Sequence, residues 1–455
     1  MDGKHMSYRQ LEEYILNIPR FRPEGSIEQT RQFYEFLGKP GKSSLIIHVA
    51  GTNGKGSTCA YMNSVLKEAG YKVGMFTSPH LVTVRERIRI NHELISEEEW
   101  IGVYKNLEEK LSLYSKFQKE NREMNSTYEP TFYEVLFFMA MLYFESQKTE
   151  VIILETGLGG RLDATNVIDA PKVAVITEIG KDHMEYLGDT FEKIAEEKAG
   201  IIKKGSVVVY SRNRQESAQV IEQKTKELGI LCKCVEKIGK QEYSFVDKKI
   251  DFSFFSRYYG YIPIILNTCA IYQLDNARLA LTALEELGIE LSEHAIKKGM
   301  GQCKWEGRME EILPNVYVDG AHNEDGIDAF IESVKSDRCQ GKRWLLFSAV
   351  EDKEYEVMKN KLLTSELFDY LYVAPLRTAR GIDKKKLEVL FADYRLKPGT
   401  DADNDSMGSL KEGTVRISKN TKEALQEILS KTVGEDRVYV TGSLYLVGEI
   451  KEEYM

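Results

Sequence analysis

Apolar residues come in short runs separated by longer stretches of mixed character, and that spacing predicts strands alternating with helices. The run Leu45, Ile46, Ile47 leads into a glycine-rich turn, and residues 59–69 read as the helix that follows, stopped by Gly70. Further strands are predicted over 71–76, Val151–Glu155, 173–179 and 207–210. Residues 85–90 alternate charged and apolar side chains, as a strand with one buried face does. Helices are predicted over 8–18, then, after a loop holding Pro19 and Pro23, on to Leu37. Others open at Ser96 with three glutamates behind it, run over the charged stretch 105–121 and the apolar stretch 131–147, and run from Thr190 to Gly200. Residues 231–266, rich in aromatic and β-branched side chains, predict a small antiparallel piece, and a helix follows over 273–287. Residues 299–307 read as a linker. Beyond them the alternation restarts, with strands at 316–319, 344–347, 370–373 and 438–440 and helices at 324–335, 354–363 and 421–430. Residues 397–413 read as a loop. The pattern indicates an α/β fold with largely parallel sheets, whose ligand sites lie at strand C-termini.

Length and charge narrow this picture. A chain of 455 residues is too long for one ordinary core. A net charge of -9 argues against a general nucleic-acid binder. No apolar stretch is long enough to span a bilayer; residues 132–144 come nearest, and Glu134 interrupts them, so they read as a buried helix. The N-terminus is polar, with no secretory leader, and Met6 is the expected natural start behind a five-residue extension. The six cysteines are scattered, and the one close pair, Cys232 and Cys234, lacks a second pair for zinc. Reduced thiols, a cytoplasmic location and a monomer without membrane or nucleic-acid partners are expected.

The candidate chemistry centres on Gly51, Thr52, Asn53, Gly54, Lys55, Gly56, Ser57 and Thr58. A strand, a glycine-rich turn and a helix make a phosphate cradle: backbone N–H groups turn inward and the helix N-terminus adds positive potential. Lys55 is placed to reach outer phosphates, and the Ser57 or Thr58 hydroxyl to meet Mg²⁺. The usual G-x-x-x-x-G-K-[ST] pattern does not fit literally, because Gly56 separates Lys55 from Ser57. Polar groups end other predicted strands: Ser78, Glu155, Asp182 with His183, and Asp319. Singly each has a bland reading, since a strand-end glutamate is often a solvated carboxylate and a lone histidine is usually structural. Lys198, beside two glutamates on a helix, would ordinarily be a surface lysine. Together they suit Mg²⁺, which takes few protein ligands plus phosphate oxygens. Residue chemistry alone leaves a kinase and an acyl-phosphate ligase both open.

With these blocks in order, the chain resembles the folylpolyglutamate synthase/dihydrofolate synthase family, a branch of the Mur ligase superfamily. The matching blocks are 48–58, 77–81, 131–134, 154–166, 182–188, 197–201, 319–323 and 441–449. The resemblance implies a P-loop ATPase domain with a mainly parallel sheet over 1–301, carrying a pterin pocket, and a smaller Rossmann-like α/β glutamate ligase domain over 302–455. It implies joining of L-glutamate to folates or to dihydropteroate, with ATP and two Mg²⁺ sites. It makes Ser78 and Glu155 ligands of one Mg²⁺ and His183 a ligand of the second, with Ser57 also among the metal ligands and Lys198 carried as a carbamate that binds metal. It makes Asn276, Arg308, Asp319 and His322 contacts of ATP, the last three from the second domain, whose closure would complete the site. It lines the pterin-substrate pocket with Pro79, His80, Thr131, Phe132, Tyr133, Glu134, Leu162, Asp163 and Ala164. Two positions depart from the family pattern. Glu306 replaces a proline before Gly307 and Arg308, and Tyr272 replaces a histidine. Other Mur-type amino-acid ligases and a P-loop small-molecule kinase are the alternatives; cell-wall Mur ligases carry a UDP-binding domain that residues 1–44 are too few to form.

Overall fold

The structure is a computed structural model describing residues 6–20, 27–121, 128–394 and 415–454. The expected five-residue extension, Pro23 and the expected 397–413 loop lie outside the described residues. The chain divides into two compact units. The first is Met1–Glu242, Ser253–Ile265 and Asp275–Cys303; the second is Tyr243–Phe252, Leu266–Leu274 and Lys304–Met455.

The first unit is built on eight strands: Leu45–Ala50 (β1), Val73–Phe76 (β2), Ile88–Ile90 (β3), Glu93–Leu94 (β4), Val151–Glu155 (β5), Val173–Ile176 (β6), Val207–Arg212 (β7) and Cys232–Glu236 (β8). They lie in the order β4-β3-β2-β5-β1-β6-β7-β8. The six from β2 to β8 in that order pair in parallel, and β3 and β4 add an antiparallel edge. Strands covered on both faces read as unbroken apolar runs, and β5 is buried at every position. The chain runs to one side of β1 for β2 and to the other for β6, so β1 marks the point where winding reverses and a crevice opens at strand C-termini.

Helix Phe132–Ser146 is apolar nearly all round and therefore sits inside. Thr131 caps it in a reciprocal capping box with Glu134. Its Phe137 and Phe138 join Phe33, Phe76 and Trp100 in one cluster, with Phe33 edge-on to Phe138 at 4.9 Å. Each such ring contributes about 2–3 kcal/mol through burial. Helix Lys55–Glu68 leaves β1 and packs against helix Glu293–Gln302. Gly299 makes that approach possible: a Cβ there would stand 2.5 Å from Val65 Cα.

Strands Tyr243–Val246 (β9), Lys249–Ser256 (β10) and Gly260–Leu266 (β11) form a separate three-stranded sheet. The second unit's main sheet holds Glu310–Leu313 (β12), Val316–Val318 (β13), Arg343–Phe347 (β14), Tyr370–Val373 (β15), Val415–Ile417 (β16) and Arg437–Thr441 (β17). Its order is β12-β13-β17-β14-β15-β16, parallel except for β12. Phe330, Phe347, Phe368 and Tyr439 fill its core, and the Tyr439 hydroxyl donates to Asp337 Oδ2 at 2.7 Å.

The α/β reading holds, with local corrections. The phosphate-loop helix starts at Lys55, four residues earlier than expected, because the chain turns at Gly54 and the polar first turn hides the helical period. Residues 84–87 are a 3-10 turn, so only Ile88–Ile90 of the expected strand is extended. Residues 299–302 are helix and not linker. The strand expected over 173–179 ends at Ile176. Cys232–Glu236 joins the main sheet in parallel, outside the antiparallel piece expected there. The charged stretch 105–121 belongs to one helix, Glu97–Asn121, whose inner face buries Trp100, Tyr104, Leu107 and Tyr114. Gly299→Ala is expected to push helix Glu293–Gln302 off Lys55–Glu68, lowering stability by about 2 kcal/mol in thermal denaturation.

Candidate functional site

Gly54 stands at φ +87°, and a side chain there would run into the Asn276 amide. Glycine is therefore required, and Asn276 lies against the loop. The loop is tied to the segment after β6. Thr52 N–H donates to the Glu178 carbonyl at 2.7 Å, and the Thr52 hydroxyl both donates to Gly180 O and accepts from Gly180 N–H, each at 3.0 Å. Thr177 Oγ1 donates to Asn53 O at 2.7 Å. Gly56, Ser57 and Thr58 form the first helical turn, with both hydroxyl residues buried.

Two lysines meet at this loop. Lys55 Nζ donates to the carbonyls of Gly51 and Thr52, both at 3.1 Å. Lys198 Nζ, from helix Phe191–Ala199, donates to the same Gly51 carbonyl at 2.7 Å. Lys198 is only 3% exposed. Burial, and then the neighbouring Lys55 charge, bring its pKa down to about 7, against the opposite pull of Asp182 and Asp163. A buried amine that holds its proton this loosely differs from a solvated lysine, which stays a fixed cation.

Ser78 follows β2 and Glu155 ends β5, the adjacent strand. Ser78 N–H donates to Glu155 Oε2 at 3.0 Å, beside a cis Ser78–Pro79 bond. The Glu155 carboxylate is buried, level with Val49 of β1 in the sheet register. His183 stands at φ +51° with its N–H donating to Asp182 Oδ1 at 2.8 Å. Among the described residues no group of three or more His, Cys, Asp or Glu is arranged to hold a metal ion. The Ser78 hydroxyl and the Glu155 carboxylate, at neighbouring strand ends, and the Ser57 hydroxyl, in the first turn of the helix that leaves β1, are hard oxygen donors. That set fits Mg²⁺ completed by phosphate oxygens and fits a softer metal poorly.

The residues expected around a pterin lie on the same unit. The Tyr133 hydroxyl donates to Glu155 O at 2.9 Å, and its ring lies 5.4 Å from that of Phe76. Glu134 takes Thr131 N–H at 2.7 Å and Thr131 Oγ1 at 2.8 Å, and also takes the Thr30 hydroxyl, so its carboxylate braces the helix start. Asp163 takes four donors: Gly157 N–H at 2.8 Å and Leu158 N–H at 3.0 Å on Oδ2, and Thr165 N–H at 3.0 Å and its hydroxyl at 2.5 Å on Oδ1. Burial still pushes its pKa up. Ala164 is buried, whereas Leu162 is 60% exposed. Pro79 is exposed and His80 partly buried. Burial, with the charges of Arg87 and Arg20, lowers His80 to about 3. It is neutral, and Arg87 Nε donates to its Nδ1 at 2.8 Å, which leaves the proton on Nε2.

Sequence reasoning missed two residues here. Arg87 also lies over the Phe132 ring, 5.3 Å from its centroid. Glu86 is buried and takes the N–H groups of Leu81, Val82 and Thr83 at 2.7, 2.8 and 2.8 Å. The spacing Thr83-x-x-Glu86 is a capping-box signature that could have revealed it.

In the second unit, Asp319 follows β13, and its N–H donates to Val440 O at 2.9 Å. Its Oδ1 takes Ala321 N–H at 2.9 Å, and its Oδ2 takes Met309 N–H at 2.9 Å and the Tyr272 hydroxyl at 2.5 Å. Burial raises its pKa, against the nearby Arg308 charge. Arg308 donates to Gly307 O at 2.8 Å, and His322 Nδ1–H donates to Gly320 O at 2.8 Å.

Residues 49–284 match the Mur ligase middle domain, and residues 307–444 match the Mur ligase glutamate ligase domain. The dihydrofolate synthase/folylpolyglutamate synthase of Bacillus subtilis (strain 168) is 34% identical over 98% of this chain and 99% of its own length. The E. coli FolC structure in complex with DHPP and ADP superposes with a TM-score of 0.81 at 28% identity, over 100% of this chain and 98% of that one. Mycobacterium tuberculosis folylpolyglutamate synthase complexed with ADP gives a TM-score of 0.84 at 25% identity, over 98% of each chain.

Glu86→Gln is expected to leave an amide N–H₂ facing backbone donors. It should cost about 2 kcal/mol and speed amide hydrogen exchange at Leu81, Val82 and Thr83.

Proposed function

This chain belongs to the dihydrofolate synthase/folylpolyglutamate synthase family, and from that premise we propose how its residues carry out the reaction. It is an ATP-dependent ligase that adds L-glutamate to folates. The acceptors are reduced folates and 7,8-dihydropteroate. The γ-phosphoryl group passes from ATP to the acceptor's carboxylate, giving an acyl phosphate and ADP. The amino group of L-glutamate attacks the carbonyl carbon, the C–O bond to phosphate breaks, the new amide loses a proton and phosphate leaves.

The observation that carries this reading is the meeting of Lys55 and Lys198 on the Gly51 carbonyl. Lys55 and the loop N–H groups of Gly51, Thr52, Asn53, Gly54, Gly56, Ser57 and Thr58 hold the triphosphate, with Asn276, Arg308, Asp319 and His322 as further ATP contacts. Magnesium at two positions, when bound, neutralises phosphate charge; Ser57, Ser78 and Glu155 would hold one ion, and His183 and Lys198 the second. Lys198 serves there as a carbamate. Its neutral amine bonds to CO₂ and sheds a proton, turning a cation that would repel Mg²⁺ into an anion that binds it. Pro79, His80, Thr131, Phe132, Tyr133, Leu162 and Ala164 line the pterin pocket, with Glu134 and Asp163 bracing its walls. Residues 1–301 are the ATP- and pterin-binding domain and 302–455 the glutamate ligase domain. The enzyme works as a cytoplasmic monomer.

Phosphate release from ATP and Mg²⁺ with L-glutamate, measured in parallel with dihydropteroate and with a tetrahydrofolate, tests this. Release with both acceptors is expected, and release without L-glutamate would favour a kinase. Lys198→Ala should lower kcat at least a hundredfold; full activity would remove the carbamate. Glu155→Gln should raise the Mg²⁺ concentration needed for half-maximal turnover about tenfold.

A further inference from the structure

Tyr272 lies in the turn that enters helix Gln273–Glu286, held by Gln273 N–H on Ala270 O at 3.0 Å and by Ile271 N–H on Ser333 Oγ at 3.1 Å. The phenol is thus fixed at both neighbours along the chain. It donates to Asp319 Oδ2 at 2.5 Å, a short bond of the kind made to an ionised acceptor. Each carboxylate oxygen has two acceptor positions. On Oδ2 both are filled, by Tyr272 and by Met309 N–H at 2.9 Å. On Oδ1 the N–H of Ala321 fills one at 2.9 Å. Among the described residues no further hydrogen bond to Oδ1 is found, so one acceptor position remains, on a carboxylate that is 2% exposed.

We propose that Tyr272 is a positioning residue that fixes Asp319 in one rotamer, with a single acceptor position left on Oδ1 for one sugar hydroxyl of the nucleotide. Tyr272 acts in this way only if Asp319 meets the nucleotide, as proposed above. Met309 N–H on Oδ2 and Ala321 N–H on Oδ1 hold one oxygen each, against a last torsion that is otherwise broad and roughly two-fold. The Tyr272 hydroxyl adds a third donor, on Oδ2, and narrows the motion that those two bonds leave. The acceptor then meets the ligand already oriented, and binding need not order it. The chemistry admits a neutral hydroxyl donor and excludes a second anionic group, because the carboxylate cannot turn away from it.

ADP affinity of the full chain, measured by calorimetry in Mg²⁺, decides the matter when 2′-deoxy-ADP and 3′-deoxy-ADP are run beside it. The unaltered chain should bind one deoxy analogue about tenfold more weakly than ADP. Tyr272→Phe should bind ADP about tenfold more weakly and lose that discrimination, with the KM for ATP rising and kcat within twofold. If the unaltered chain binds ADP and both deoxy analogues equally, the assignment of Asp319 to the nucleotide fails. If it discriminates and Tyr272→Phe discriminates as strongly, the positioning role of Tyr272 fails while that of Asp319 stands. Should Tyr272→Phe not fold, Tyr272→His supplies another ring N–H donor. Affinity and discrimination moving together in it support the proposal, and affinity lost alone overturns it.

Discussion

The pairing of β1 with β5 on one side and β6 on the other decides where chemistry can stand in the first unit. Parallel pairing sets the C-terminal ends of neighbouring strands level, and a buried strand can place polar groups only where it stops. Val49 opposite Glu155, and Ala50 opposite Ile176, put the phosphate loop between a carboxylate and the Thr177–Gly180 segment. A one-residue slip would turn every core side chain of β1 to the wrong face. The site's geometry is therefore a by-product of core packing, and the apolar strands do the positioning.

Charge works within that frame. Two amines converge on one carbonyl, and the deeper is held near neutrality at ordinary pH by burial and by its partner. A second-unit carboxylate and a first-unit carboxylate show a contrast. Asp163 has all its acceptor positions filled by its own loop, whereas Asp319 keeps one. The first is saturated by its own loop; the second keeps one acceptor position inside a buried setting.

What was legible in the sequence follows from the range of each interaction. The phosphate loop reads directly, because strand, turn and helix are contiguous. Glu155, Ser78 and Lys198 had bland readings alone; the order of the matching blocks singled them out, since strand order in space is not strand order in the chain. Residues 85–90 misled because alternating charge mimics a half-buried strand, while Glu86 serves three amides of its own loop. Gly299 misled for the opposite reason. Glycine reads as a breaker, and the need for it lies in Val65, far back in the chain. The Tyr272–Asp319 bond spans 47 positions and left no local trace.

The Gly299 contact has a mechanical meaning. Where helices touch through long side chains, rotamer changes absorb small displacements. Here backbone meets backbone within ångströms, with Ser64 Oγ donating to Gly299 O at 2.7 Å as a second tie. At this point helix Glu293–Gln302 and the helix that carries Lys55 and Ser57 meet through backbone rather than through long side chains. The phosphate loop thus inherits the inertia of two helices, and its positional jitter is set by the stiffness of that pair rather than by the length of the loop.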